Sequence, residues 1–221
     1  MKAFVLGLLF LTSNIMLYGQ NKISEGNITY SVEWNLPEQM QEMQSNFPTE
    51  IKVYFKGDSS STVTESQMYS SNFILNPVTQ FEKLLLDIPL MHKKYAVTFT
   101  PEDRKKMADK MPQIELKDAS ETKTLVGYQV HKYAGIEKKG NQTFDAWFTK
   151  DVEVLPNALS RFYDKSYGFP VEFTTFLNGL SLKASLKEIK KSAVPAGLFS
   201  AGKDYEEITV DQLMQMSGGE Q

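Results

Sequence analysis

Apolar and polar residues alternate along most of this chain, with the two-residue period of strands that bury one face. Ile28, Tyr30, Val32 and Trp34 fall on one side of the first clear example, opposite Thr29, Ser31 and Glu33. Ile51, Val53 and Phe55 repeat the pattern. Gly57-Asp58 then offers a tight turn into the polar, β-favouring stretch 59–66. Further strands are predicted around Phe73–Leu75 and over Tyr95, Val97 and Phe99. After Gly127 come Tyr128, Val130 and Lys132, then a turn at 138–141, then Phe144, Ala146 and Phe148. The clearest hairpin carries Phe169, Val171 and Phe173 into Asn178-Gly179 and returns through Leu180, Leu182, Ala184 and Leu186. Asn-Gly suits a type I′ turn because both residues tolerate positive φ.

A helical period interrupts this series twice. Pro37 can open a helix, with Met40, Met43 and Phe47 following at helical spacing. Thr100-Pro-Glu-Asp103 is a stronger start: Thr100 caps, Pro101 presets φ, and the acids meet the positive helix end. This second helix should stop before Pro112. Shorter helices are expected near 156–163 and 210–216. The stretch 80–88 fits strand or helix, since Phe81, Leu84, Leu85 and Ile88 also share a helical face.

The fold class these elements predict is α+β, mainly β: a curved antiparallel sheet, in effect a half-barrel, with a few helices covering its apolar concave face. An apolar sheet face must be covered, and helices laid on it are one of few stable solutions. No internal repeat or low-complexity linker divides the chain.

Residues 1–20 read as a secretory signal. Lys2 is followed by the apolar run Ala3 to Leu11, too short for the roughly 20 residues of a membrane span. Cleavage is expected near Gln20, leaving 21–221 as one domain with a frayed tail at 217–221 and no transmembrane segment. Cysteine is absent, which excludes disulfides, a lipobox, thiolate metal sites and a thiol nucleophile. The chain's 24 basic residues less Lys2 leave 23, against 27 acidic, a formal balance of −4. That balance, with lysines dispersed in short pairs, argues against nucleic acid as a partner.

Motifs of catalysis are missing. His92 and His131 are the two histidines, without metal-binding spacing, and no nucleophile elbow accompanies the serines. Glu102-Asp103 and Glu206-Glu207 are adjacent pairs, and neighbours diverge too far to share a proton-transfer task. No phosphate-binding or dinucleotide fingerprint appears. Neither an enzyme nor a cofactor is expected.

The segment Thr122-Lys-Thr-Leu-Val-Gly-Tyr-Gln-Val-His-Lys-Tyr133, with the aromatic partner Phe144-Asp-Ala-Trp-Phe-Thr149, resembles a pattern in secreted Bacteroidota proteins of unknown function. Gly26-Asn-Ile-Thr-Tyr30 and Gly168-Phe-Pro-Val-Glu-Phe173 look like the same group, which is similar to the LolA/LppX-like lipoprotein-carrier superfamily. That resemblance implies a periplasmic or secreted protein and a lipid-like cargo under helices on a curved sheet. The candidate cavity lining is Tyr30, Trp34, Phe55, Phe99, Phe144, Phe148 and Phe173 on apolar strand parity, with Met40, Met43 and Phe47 as an adaptable lid. Each of these residues taken singly fits an ordinary core equally well. Two functions follow: carriage of an apolar ligand, or a ligand-free envelope interaction protein that meets a partner through sheet edges or the polar 59–66 strand.

Overall fold

A computed structural model describes residues 21–177 and 179–216. The expected leader, the tail and Asn178 of the expected turn lie outside the described residues.

In chain order the strands are β1 (Asn21–Lys22), β2 (Glu25–Asn35), β3 (Glu50–Lys56), β4 (Ser59–Glu65), β5 (Ser70–Asn76), β6 (Phe81–Ile88) and β7 (Lys93–Thr98). Helix α1 (Pro101–Ala108) precedes β8 (Ile114–Leu125), β9 (Tyr128–Glu137), β10 (Gln142–Thr149) and β11 (Val152–Glu153). Then come β12 (Phe169–Leu177), β13 (Leu180–Lys190), β14 (Glu206–Glu207) and α2 (Val210–Met216). Twelve strands form one sheet in the order β14-β7-β6-β5-β4-β3-β2-β13-β12-β10-β9-β8, antiparallel except at β14–β7. The sheet is open and curved, and does not close into a barrel. β1 and β11 form a separate parallel pair.

The register places the alternating residues together. Ile28 faces Val53, Tyr30 faces Ile51, Trp34 faces Leu182 and Phe173 faces Ala184. These residues share the inner face. Over its middle lies the irregular segment 154–168, which delivers Leu159 and Tyr163 into the main core. The expected short helix at 156–163 is instead a pair of turns anchored on Asn157, whose side chain accepts from the amide of Leu159 at 2.9 Å. Farther along the same face, Met107 of α1 and Val210, Leu213 and Met214 of α2 pack on Phe73, Leu84, Val97 and Phe99. Thr100 and Asp103 form the anticipated capping box of α1.

One open reading is resolved and two expectations are corrected. The stretch 80–88 is strand: Leu84 joins the inner face, while Leu85 joins Ile74 and Ala96 on the outer one. The helix expected after Pro37 is a 3₁₀ stretch, Glu38–Asn46, and none of its residues is buried. The polar strand β4 is no partner surface, because Ser60, Ser61, Thr62 and Thr64 are buried. Two of its hydroxyls find partners inside: Ser60 donates to the Pro156 carbonyl at 3.2 Å, and Ser61 to Asn72 at 2.7 Å.

The two sheet edges differ. After β13 the chain crosses the outer face, where Asn72 donates to the Leu198 carbonyl at 2.8 Å and Phe199, Ala201 and Tyr205 cover Ile74, Leu85 and Ala96. It then runs alongside β7 as β14, held by ion pairs Lys83–Glu207, Lys93–Glu206 and Lys94–Asp204. That edge ends in the two residues of β14. At the other end β8 pairs with β9 on one side and, among the described residues, with no strand on the other.

Candidate functional site

The ten residues predicted to line a cavity are dispersed. Tyr30, Phe55, Phe148 and Phe173 are buried in the main core. There the rings interlock: Tyr30 meets Phe173 edge-on at 5.6 Å, Phe173 meets Tyr163 at 5.7 Å, Tyr163 meets Phe148 at 5.2 Å and Phe148 meets Tyr133 at 5.6 Å. Edge-to-face contact at these separations is a favourable aromatic packing in itself. Tyr163 also donates its phenol to the Thr174 carbonyl, and burial pushes the pKa values of Tyr30 and Tyr163 upward. Trp34 and Phe47, both half-buried, meet at 5.1 Å with their rings tilted by 51°, and the indole donates to the Pro48 carbonyl at 2.7 Å. Phe99 belongs to the separate cluster under α2. Met40 is half-buried and Met43 is 40% exposed, on the 3₁₀ stretch.

Phe144 sits at the β8–β9–β10 end of the sheet. It faces Gly135, which in turn faces Leu116. A Cβ on Gly135 would stand 2.4 Å from Phe144 Cε2, so the ring lies across the space a side chain would fill. Ile114, Leu116, Tyr133 and Phe144 are all half-buried against the main core.

Two open grooves flank this end. One, about 490 Å³, is lined by Glu115, Lys117, Ala134, Gly135, Ile136, Thr143, Phe144 and Asp145. The other, about 460 Å³, is lined by Asp118, Thr122, Gln129, Val130, His131, Tyr133, Phe148, Lys150, Asp151 and Tyr167. In it His131 Nε2 lies 2.8 Å from Asp118 Oδ1, and this contact, with the Ser120 amide, holds the Asp118 carboxyl below its ordinary pKa. The His131 ring also meets that of Tyr133 at 5.1 Å, tilted by 58°. Among the described residues no cluster of three or more His, Asp or Glu side chains is placed to hold a metal.

β8 itself went unpredicted as a strand, because only Ile114, Leu116 and Leu125 carry apolar signal in a charged run. It is anchored from β9. Glu137 is buried and accepts from the amides of Gln113, Lys139 and Gly140 at 3.0, 3.2 and 2.6 Å. Burial opposes ionisation of Glu137, but those amides prevail and hold its pKa below the ordinary value. On the outer face Lys123 sits 3.7 Å from the centre of the Trp147 ring, joining β8 to β10 across β9. Past Asp118 the strand bulges before Thr122, with Ser120 at φ 57°. The exposed, charge-rich sequence and this bulge are the devices by which bare edges resist indiscriminate pairing.

No family model matches the chain, and no curated protein matches it. Among solved structures it is similar to PNGF-II, with TM-score 0.52 and 18% identity over 87% of this chain and 32% of that one. The likeness is one of fold. This chain spans about a third of the length of PNGF-II. Among the described residues no helix is long and apolar enough to cross a membrane.

Proposed function

We propose that the protein is an exported, non-catalytic interaction module that engages a protein partner through the β8 edge and its flanking grooves. The observation that carries this reading is the asymmetry of the sheet: one edge ends in the two-residue strand β14, ion-paired to β6 and β7, and at the other, among the described residues, the twelve residues of β8 have no strand beside them. An edge strand offers unpaired backbone donors and acceptors, and alternate side chains on either face then select the partner. The interlocked rings behind the sheet are in keeping with a filled interior rather than a hold for cargo. A photo-crosslinking residue at position 117, introduced in the native host, tests it. The expected result is an adduct of defined mass at 117 and none at Val78, an exposed position on the turn between β5 and β6. Equal labelling at both positions, or none at either, rejects the edge.

A second reading, carriage of an apolar ligand, draws support from a different place. Exposed Met43, Met68, Leu90 and Met91 sit on three loops, 36–49, 66–69 and 89–92, that leave the same end of the sheet. Methionine adapts to irregular apolar partners. Lipid that co-purifies from the host, and is lost on Met43→Gln with Leu90→Gln, is the result this reading requires. Protein recovered free of lipid ends it.

A further inference from the structure

Resting on the edge reading just given, the register of β8 specifies its occupant. We infer that β8 pairs antiparallel with β8 of a second copy of this chain, about a two-fold axis through Leu116.

Joining two copies into one continuous sheet keeps inner face with inner face. Only residues of equal parity then stand opposite one another. Five residues are available before the bulge: Ile114, Glu115, Leu116, Lys117 and Asp118. A two-fold axis at Glu115 sets Glu115 against its own copy, an axis at Lys117 sets Lys117 against its own copy, and an axis at Asp118 does the same with Asp118. Like charges directly opposite are unfavourable. An axis at Ile114 sets Ile114 against its own copy but leaves Glu115 opposite Gln113, with no charges paired. An axis at Leu116 sets Glu115 against Lys117 twice on the outer face and, on the inner face, Leu116 against Leu116 with Ile114 opposite Asp118 on either side. Of the five registers it is the one that pairs opposite charges, although Asp118 then stands opposite Ile114.

The surroundings agree with that register. Lys117 is exposed and its contact with Glu115 Oε1 is loose at 4.0 Å, while Lys138 holds Glu115 Oε2 at 2.8 Å, so Oε1 is the oxygen open to exchange. Leu116 lies in a row with Gly135 and Phe144. Because Gly135 has no side chain, the Phe144 ring lies over it, and the apolar surface continues outward toward the edge. A second Leu116 arriving there meets half-buried apolar neighbours. The interface is isologous, so it closes at two copies, and the remote edge of each copy offers only the two residues of β14.

Charge swapping tests this. Glu115→Lys places Lys against Lys117 of the partner, and Lys117→Glu places Glu against Glu115. Each single variant should raise the dimer dissociation constant on the order of tenfold or more, since two pairs per interface turn repulsive. An equimolar mixture of the two variants restores complementarity, and so does the double variant Glu115→Lys with Lys117→Glu. Light scattering and native mass spectrometry of the purified chain across micromolar concentrations read the masses, and circular dichroism establishes that each variant is folded. Restoration of the dimer in the mixture is the expected result. A wild-type chain that stays monomeric overturns the inference, as do single variants that dimerise like wild type. The crosslink at 117 separates this failure from failure of the edge reading. An adduct of another mass leaves the edge intact and removes the self-pairing, whereas absence of any specific adduct removes both.

Discussion

The ring of Phe144 occupies the space over Gly135 that a Cβ would need, at 2.4 Å from Cε2. Glycine in a strand interior is locally unfavourable, and its presence here is explained by the neighbouring ring's approach. Gly135→Ala is therefore expected to destabilise the fold by about 1–3 kcal/mol through overpacking. In a Phe144→Ala background the same change should cost much less, because the obstruction is gone. A double-mutant cycle by urea unfolding reads this coupling, and equal costs in both backgrounds would contradict it.

The turn between β8 and β9 holds Val126 at φ 50° and Gly127 at φ 82°, with Leu125 paired to Tyr128. Two residues at positive φ make a type I′ geometry, which Asn-Gly satisfies and a β-branched residue resists. Val126 is also 49% exposed, so little packing is lost on replacing it. Val126→Asn should raise stability by about 1 kcal/mol. A lower unfolding midpoint for this variant would show that the turn is not the strained element.

Tyr163 links the covering segment to the sheet by ring contacts to Phe148 and Phe173 and by its phenol on the Thr174 carbonyl. Removal of the hydroxyl in Tyr163→Phe should cost about 0.5–1.5 kcal/mol, and truncation in Tyr163→Ala about 3–5 kcal/mol. Chemical unfolding separates the two. Near-equal losses would mean that the hydrogen bond, and not the ring, seats residues 154–168.

Glu137 has its pKa lowered from 4.5 in the folded chain. A depressed folded pKa contributes stability above the unfolded value, and that contribution is lost as pH falls through the folded one. Urea midpoints should thus hold steady at neutral pH and decline below pH 4.5. Glu137→Gln should flatten that decline while lowering stability at neutral pH. An unchanged acid limb in the variant would assign the acid sensitivity to other carboxylates.

Much of the sheet was legible because its central strands bury one face, which forces strict alternation: Ile28, Tyr30, Val32 and Trp34 on β2 are the plainest case. The capping box at Thr100 was legible for a similar reason, being a local hydrogen-bond pattern written in four residues. β6 was ambiguous because both its faces are covered, the inner by α2 and the outer by residues 199–205, and a strand buried on two sides loses its period. β4 misled in the opposite sense. Its hydroxyls read as solvent-facing, yet Pro156 and Asn72 satisfy Ser60 and Ser61 inside the protein. The edge strand β8 escaped notice because an edge needs charge for protection, and charge erases the apolar pattern.

By itself the sequence determined that strands would form, where several of them turn, and which residues prefer the interior, since these depend on interactions over a few positions. Only the tertiary structure decided which aromatics meet, which polar strand is buried and which sheet edge is left open. Those outcomes depend on segments far apart in the chain, such as 154–168 over the inner face and 204–216 along β7, and no local pattern encodes their arrival.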